Sequence, residues 1–145
     1  MNLRSIFKKQ TDNNPQKRCV GELGESIACN YLSSLGFEII ARNVHISHKE
    51  IDIVAENDEY TLIVEVKTVS KSKKDAQEQS MRPSDNIDKA KMQNLIYAQK
   101  GWRTKYYSGR TVRIDVIEVY LGDTPPSVVH IENAVNNRTL YRKRR

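Results

Sequence analysis

Residues 49–67 read KEIDIVAENDEYTLIVEVK, and this stretch decides the fold. Apolar and polar residues alternate on both sides of a polar turn at residues 57–59, which predicts an antiparallel hairpin of two strands, 50–55 and 60–67. The stretch also contains six acidic residues, although the chain carries a formal net charge of +6. Because like charges that face each other destabilise a sheet, the acidic residues of this hairpin require a compensating group.

Period-two alternation predicts which side chains share a face of the hairpin. One face is predicted to be wholly apolar and consists of Ile51, Ile53, Leu62, Val64 and Val66. The opposite face carries Glu50, Asp52, Glu65 and Lys67. A turn about residues 58 and 59 places Asp52 opposite Glu65, with Cβ atoms about 5 Å apart, and places Glu50 opposite Lys67.

A pair of carboxylates at this separation suits a hard divalent cation. Mg²⁺ prefers one or two carboxylates together with waters and substrate phosphate oxygens, so Asp52 and Glu65 are the predicted metal ligands. The backbone carbonyl of Val66 is a candidate third ligand. Lys67 returns to the acidic face, where its ammonium can hold a phosphate oxygen or position the attacking water. The pattern therefore predicts phosphodiester hydrolysis that depends on Mg²⁺ or Mn²⁺.

Ordinary ion pairs are the competing interpretation of the same residues. Glu50 with Lys67, and Glu65 with Lys49 or Arg113, would form cross-strand pairs on a solvated sheet face. A single Glu-Val-Lys sequence in a strand does not separate the two interpretations.

A wider combination of residues favours the metal site. Asp52 is followed by twelve residues and then by Glu65-x-Lys67. A helical wheel of the segment before the hairpin places Glu25 at the margin of its apolar face, from where it can reach inward. The predicted site therefore draws on three segments of the chain.

The rest of the chain predicts an α/β fold with a central mixed sheet flanked by helices. Periodicity, caps and turn residues predict the remaining elements in chain order: a helix at 19–35 closed by Gly36, a strand at 37–43, a helix from residue 84 or 85 to 100 closed by Gly101, a strand at 112–121 with a bulge near Ile117, and an edge strand at 127–133.

Composition predicts one domain with polar ends. Residues 18–135 are predicted to form this domain, preceded by a flexible basic leader at 1–17 and followed by a basic tail at 136–145. Residues 68–84 combine low hydrophobicity with high charge, which predicts a long mobile loop, and loops of this length are often functional.

The distribution of basic residues favours a nucleic-acid partner. Lys71, Lys73 and Lys74 follow the acidic hairpin, and further clusters lie near both ends of the chain. Carboxylates alone would repel nucleic acid, whereas carboxylates that carry a metal ion bind a phosphate while the basic rim holds the backbone. No apolar run approaches the roughly 20 residues that span a bilayer, and an export signal is not recognisable, so we expect a cytoplasmic protein without a membrane span.

Several motifs in order resemble the YraN-like bacterial family of the PD-(D/E)xK nuclease-like superfamily. They are GELGESIA at 21–28, LGFEIIARN at 35–43, EIDIVA at 50–55, VEVKT at 64–68, Lys89, RIDV at 113–116 and HIENAV at 130–135. The arrangement is also similar to that of archaeal Holliday-junction resolvases, which share a helix Glu, a strand Asp and a Glu-x-Lys strand.

This resemblance implies a restriction-endonuclease-like three-layer fold and a metal-dependent DNA endonuclease. It implies Asp52 and Glu65 as metal ligands, Glu25 as an auxiliary ligand or acid, and Lys67 as the catalytic lysine. The residues expected to contact nucleic acid are Lys71, Lys73, Lys74, Lys89 and Arg113. DNA is the expected partner, with branched and single-stranded forms as candidate substrates, and a homodimer is left open.

Two other functions remain open at this point. The chain can be a nucleic-acid-binding module that keeps the fold and does not cut. It can also be an adaptor that binds a partner protein through the edge strand at 127–133.

Overall fold

Five strands form one mixed sheet in the computed structural model, which describes residues 14–106 and 108–141. The strands lie in chain order across the sheet, and of the four pairings only that between the third and fourth is parallel. The strands are β1 Glu38–Ile46, β2 Lys49–Glu56, β3 Tyr60–Val69, β4 Thr111–Tyr120 and β5 Ser127–Ile131. The helices are α1 Pro15–Ser34, α2 Lys73–Glu78, α3 Lys89–Lys105 and α4 Asn137–Tyr141, with a short 3₁₀ helix at Pro83–Asn86.

Helices cover both faces of this sheet. Ala28 and Leu32 of α1 pack on one face against Leu62 of β3. Leu95 and Trp102 of α3 belong to a second core on the other face. A fully buried Leu contributes about 1.5–3 kcal/mol, so each layer is held mainly by apolar burial. The predicted three-layer α/β arrangement is confirmed.

The faces of the hairpin differ from the prediction, because both of them are buried. Val54 and Ile63 have no exposed surface and pack in the core under α3, on the face that was predicted to be acidic. Strands in the middle of a sheet with helices on both sides are apolar on both faces, so strict alternation of apolar and polar residues does not describe them.

The β1–β2 pairing is irregular between Ile39 and Ala41, where the register shifts, and again next to the predicted site. The pairing of β1 with β2 skips Asn43 and Asp52, and Asn43 has a positive φ of 49°. The ladder between β2 and β3 ends at Ile53 and Val64. Beyond this interruption Ile51 packs in the core under α3 and not with Ile53, which corrects its predicted face.

The first helix begins earlier than predicted. The Asn14 side chain accepts a hydrogen bond from the Gln16 N–H, and Pro15 occupies the first turn, where its missing N–H costs nothing. Gly36 has a φ of 91° and ends the helix region, as predicted. Residues 15–17 of the predicted leader are therefore helical, and residues 1–13 lie outside the described part of the chain.

The segment predicted as a loop at 68–84 contains α2. The Ser72 hydroxyl accepts a hydrogen bond from the Asp75 N–H, and Ala76 is fully buried. A single buried residue and a cap were too weak a signal in a polar stretch to predict this short helix. The next helix, α3, is capped by Asp88 instead of Ser84 or Asp85.

The end of α3 also differs from the prediction. The helix continues through Gly101, where an added Cβ would lie 2.4 Å from Ser47 Oγ. Gly101 therefore allows the close approach of the β1–β2 turn and does not end the helix.

The predicted bulge in β4 is absent, because the register of β4 with β3 is continuous from Thr111 to Tyr120. Val112 and Ile114 pack under α3, whereas Ile117 and Val119 pack under α1. The buried apolar residues shift from even-numbered to odd-numbered positions because the first half of β4 is buried mainly under α3 and the second half mainly under α1.

The C-terminal part also contributes to the core. Leu140 of α4 is buried under α3, so residues 137–141 of the predicted basic tail form a helix that packs on the domain. In the described part of the chain, none of the helices has the length and apolar character needed to cross a bilayer.

Candidate functional site

The β2–β3 hairpin has the register predicted from its turn. Glu56 pairs with Thr61 and Ile53 pairs with Val64, so one further step would set Asp52 opposite Glu65. The strands separate at this step, and Asp52 Oδ2 instead accepts a hydrogen bond of 2.8 Å from the Val66 N–H. The Asp52 carboxylate therefore lies between the two strands, beside Glu65.

The environment of Asp52 raises its pKa to about 7. Burial is the main cause, and the negative charge of Glu65 adds to it. The Val66 N–H and the charge of Lys91 act in the opposite direction. The raised pKa means that a second negative charge beside Glu65 is disfavoured, and carboxyls perturbed in this way are common at functional sites.

Two lysines approach the buried Glu65 carboxylate. Lys67 Nζ lies 3.7 Å from Oε1, and Lys91 Nζ lies 3.4 Å from Oε2. Lys91 Nζ also donates a hydrogen bond of 3.4 Å to the Glu50 carbonyl. Despite the proximity of Lys91, Glu65 Oε2 has no hydrogen-bond partner among the described residues.

Lys91 was not predicted as a site residue. It belongs to α3, and no pattern in the hairpin indicates which helix residue will lie above it. The sequence did contain one indication that Lys91 faces the sheet. Lys91 precedes the buried Leu95 by four positions, so the two residues lie on the same side of the helix.

Glu25 is buried and contacts β1. Asn43 Nδ2 donates a hydrogen bond of 3.1 Å to Glu25 Oε2, and Arg42 Nη2 lies 3.9 Å from the same oxygen. Asn43 faces Asp52 across the interruption in the β1–β2 pairing. The hydrogen bond from Asn43 therefore links Glu25 to the β1 position that faces Asp52.

The residues predicted to contact nucleic acid lie in three different surroundings. Lys73 and Lys74 are exposed on α2, and Lys71 Nζ donates to Gln79 Oε1. Lys89 is exposed with its ammonium 5.8 Å from the centre of the Tyr141 ring. These four lysines lie on α2, on α3 or next to them.

Arg113 lies on the other face of the sheet. It is paired in register with Leu62, which packs under α1, so its side chain points away from Glu65. Its Nε and Nη2 donate hydrogen bonds of 2.8 and 2.9 Å to the two oxygens of Asp115. The structure does not bring Arg113 together with the predicted site.

Asp115 is the centre of a buried network. Sequence reasoning predicted its pairing with Arg113 on one strand face, but did not identify His130, Tyr31 and Asn133 as members. His130 Nε2 lies 2.7 Å from Asp115 Oδ2, His130 Nδ1 lies 3.1 Å from Tyr31 Oη, and the Asn133 N–H donates to Asp115 Oδ1. Burial would raise the pKa of Asp115, but hydrogen bonds from His130, Arg113 and Asn133 outweigh it and lower the pKa. This network joins α1, β4 and β5.

The Asp52–Glu65 pair fits a small divalent cation in part. In residues 14–106 and 108–141, no group of three or more His, Cys, Asp or Glu side chains is arranged to hold a metal. Mg²⁺ needs only one or two protein carboxylates, however, because water and substrate complete its shell. The buried Glu65 Oε2 without a hydrogen bond is an acceptor that such an ion would satisfy.

The sequence matches a known protein family over the segment that holds this site. A family model described as "Uncharacterised protein family UPF0102" matches residues 24–119. Relatives are similar over most of their length. A UPF0102 protein of Bifidobacterium longum subsp. infantis is 36% identical over 130 residues, which cover 85% of this chain and 98% of the relative. One of Clostridioides difficile is 34% identical over 123 residues, which cover 84% and 98%.

A third relative, a UPF0102 protein of Phocaeicola vulgatus, is 32% identical over 114 residues, which cover 79% of this chain and 89% of the relative. These matches confirm the family-level prediction made from the motifs. The wider PD-(D/E)xK superfamily and the likeness to archaeal resolvases stay predictions.

Proposed function

Because the chain belongs to the uncharacterised protein family UPF0102, whose name gives no reaction, we propose its function from the site itself: a divalent-metal-dependent nuclease that hydrolyses phosphodiester bonds of DNA. One observation carries the proposal. The Asp52 carboxylate lies beside the buried Glu65 carboxylate where two strands separate, with Lys67 and Lys91 on Glu65.

The motif resemblance supports the same chemistry. The PD-(D/E)xK pattern implies Asp52 and Glu65 as metal ligands, Lys67 as the catalytic lysine and Glu25 as the auxiliary acid. The hydrogen bond from Asn43 to Glu25 connects that acid to the strand position facing Asp52. Branched and single-stranded DNA are the substrate forms that the likeness to resolvases suggests, and a homodimer remains part of this proposal.

Asp52, Glu65 and the Val66 carbonyl would hold Mg²⁺ or Mn²⁺, with Glu25 as the auxiliary ligand. The bound ion would supply Lewis-acid stabilisation of the charge that develops on the phosphate oxygens. Lys67 is 29% exposed, so its ammonium can turn from Glu65 toward a substrate phosphate or orient the attacking water. Lys91 contacts both Glu65 and the Glu50 carbonyl, and so holds α3 against the two strands.

A non-catalytic nucleic-acid-binding module is the second candidate, and one observation favours it. Lys67 and Lys91 already place two positive charges against Glu65, as ordinary ion pairs would. In that case the lysines compensate the acidic residues, and a metal ion is not required at the site.

Cleavage assays on three DNA forms separate the candidates. Supercoiled plasmid, a single strand and a four-way junction are incubated with Mn²⁺ and with wild-type protein, Asp52→Asn or Asp58→Asn. Asp58 is exposed at the hairpin turn and provides a matched loss of one carboxylate outside the site.

A nuclease should cut at least one substrate, lose about 100-fold or more in rate in Asp52→Asn, and retain its rate in Asp58→Asn. Binding of equal strength by all three proteins without metal-dependent cleavage of any substrate would favour the non-catalytic module.

A further inference from the structure

A polar cavity lies beside the candidate site, on the same face of the sheet. It has a volume of about 430 Å³ and is lined by α2, the segment after it, β4 and β5. Its floor includes Glu118, which is paired in register with Lys67 of the neighbouring parallel strand. Register partners in adjacent strands point to the same face and lie about 4.8 Å apart, so the floor of the cavity adjoins Lys67.

Glu118 is a buried charge that the proposed reaction does not use. Its side chain is 2% exposed, and both of its oxygens have partners. The Ser84 N–H donates a hydrogen bond of 3.0 Å to Oε2, and the Tyr120 hydroxyl donates one of 3.2 Å to Oε1. Burial and the charge of Glu118 raise the pKa of Tyr120 to about 12, which keeps that hydroxyl protonated as a donor.

The same carboxylate orients Arg82. Arg82 Nε lies 3.7 Å from Glu118 Oε2, while 56% of the Arg82 side chain is exposed. Because this ion pair restricts the guanidinium, Arg82 loses less conformational entropy on binding a ligand than an unpaired arginine would. Glu118 itself is occupied by its three partners, so an incoming anion would bind beyond Arg82 and not against the carboxylate.

Lys73 adds a second positive charge to the lining of the cavity. Its N–H donates a hydrogen bond of 3.0 Å to Asp123 Oδ2, which fixes the start of α2 over the cavity. Lys73 is exposed and lines the cavity together with Arg82. Met81 and Val129 add apolar surface to the lining of the cavity. Two cations on an apolar wall suit a phosphate that carries an organic group.

We propose that this cavity, the Arg82 pocket, binds a phosphate-bearing nucleotide through Arg82 and Lys73. The volume is within the range of small-molecule sites, about 300–1,000 Å³, and is sufficient for one nucleotide. The identification of the natural ligand as a nucleotide of a DNA strand rests on the proposed nuclease function. In that case the pocket holds the nucleotide next to the phosphodiester that lies at Lys67.

The test uses the full chain without divalent metal, so that it does not depend on cleavage. Binding of 5′-thymidine monophosphate, inorganic phosphate and thymidine is measured from amide chemical-shift changes at constant ionic strength. The proteins are wild type, Arg82→Gln, Lys73→Gln and Lys100→Gln. Lys100 is exposed on α3 and does not line the pocket, so the Lys100→Gln variant removes the same charge from a position outside it.

Thymidine monophosphate should shift amides around residues 81–84 and 118–120, and inorganic phosphate should bind more weakly at the same place. Arg82→Gln should weaken binding about tenfold and Lys73→Gln about threefold, whereas Lys100→Gln should change it less than about twofold. Lys73→Gln does not alter the ion pair between Arg82 and Glu118. This variant therefore still tests the pocket if Arg82→Gln fails to fold.

Equal weakening in Lys73→Gln and Lys100→Gln would show general charge attraction and would contradict a specific pocket. Absence of saturable shifts with both phosphate ligands would also overturn it, as would thymidine binding as tightly as its monophosphate. The nuclease proposal can fail independently, because binding is measured without metal and without cleavage. If the pocket binds thymidine monophosphate but the protein cuts no DNA substrate, the pocket is supported and the nuclease function is contradicted.

Discussion

Lys91 Nζ of α3 lies 3.4 Å from Glu65 Oε2 of β3, so a helix residue provides a positive charge to a buried strand carboxylate. The contact explains how a sheet can hold two adjacent acidic side chains in the absence of an ion. It also makes Lys91 a competitor of any cation that binds the same oxygen. Stability and metal binding should therefore respond in opposite directions when Lys91 is removed.

Lys91→Met should lower the free energy of unfolding of the metal-free protein by about 1–3 kcal/mol, because a buried carboxylate loses one of its cations. The same variant should gain more thermal stability from Mn²⁺ than wild type does. Urea unfolding and melting temperature, with and without Mn²⁺, measure both effects. Lys100→Met, on an exposed position of the same helix, is the control, and identical behaviour of the two variants would refute this role of Lys91.

Asp52 should make the metal-free protein less stable as the pH rises. Its pKa is raised from 3.8 to about 7, so the folded state binds a proton more strongly than the unfolded state does. This contribution is complete below pH 3.8 and is lost as the pH rises through about 7. Asp52→Asn has no titrating group at this position. The free energy of unfolding of this variant minus that of wild type should therefore be about 1–3 kcal/mol larger at pH 8 than at pH 4.

Unfolding free energies at several pH values between 4 and 8 test this difference. Asn keeps a side-chain oxygen that can accept the Val66 N–H, so the comparison isolates the charge. A difference between the variants that does not change with pH would contradict the burial of an ionisable Asp52.

The Asp115 network should have the opposite pH dependence. Its pKa is lowered in the folded state, so its contribution is present above pH 3.8 and is lost as the pH falls through the folded value. Asp115→Asn should cost about 2–4 kcal/mol at pH 7, with a smaller gap to wild type near pH 3. Glu132→Gln, which alters a 67% exposed partner of Arg113, should cost less than about 1 kcal/mol. An equal cost for the two variants at pH 7 would contradict this account.

Gly24 should be required for the packing of α1 on β3. An added Cβ would lie 1.8 Å from Thr68 Oγ1, whereas a Cβ at Gly21 of the same helix would meet nothing within 4 Å. Gly24→Ala should therefore lower stability by about 1–3 kcal/mol, and Gly21→Ala should raise it by up to about 1 kcal/mol. Thermal melts of the two variants check the contrast. If Gly24→Ala melts at or above the wild-type temperature, α1 does not approach Thr68 as described.

The hairpin was predictable because its signals are local. A polar turn and period-two alternation determine the register, and the structure pairs Ile53 with Val64 as that register requires. The mixed sheet and the two long helices follow from periodicity and caps for the same reason. The family was predictable from ordered motifs, which depend on residue identity and spacing alone.

Contacts between distant segments were not predictable in the same way. Lys91 approaches Glu65 only because α3 crosses β3, and the short helix α2 is held by one cap and the buried Ala76. Ile51 departs from the predicted face because pairing is interrupted at Asn43, whose positive φ leaves no periodic signal. In each case tertiary packing decides between local alternatives that the sequence pattern treats as equal.

A Mn²⁺ titration followed by amide signals tests the central claim most directly, because the paramagnetic ion broadens signals close to its binding site. At low Mn²⁺ concentration, signals of residues 52, 65 and 66 should broaden first in wild type and in Asp58→Asn. The same signals should stay sharp in Asp52→Asn and Glu65→Gln. Broadening that begins elsewhere, or that is unchanged in the Asp52 and Glu65 variants, would show that these two carboxylates do not form a metal site.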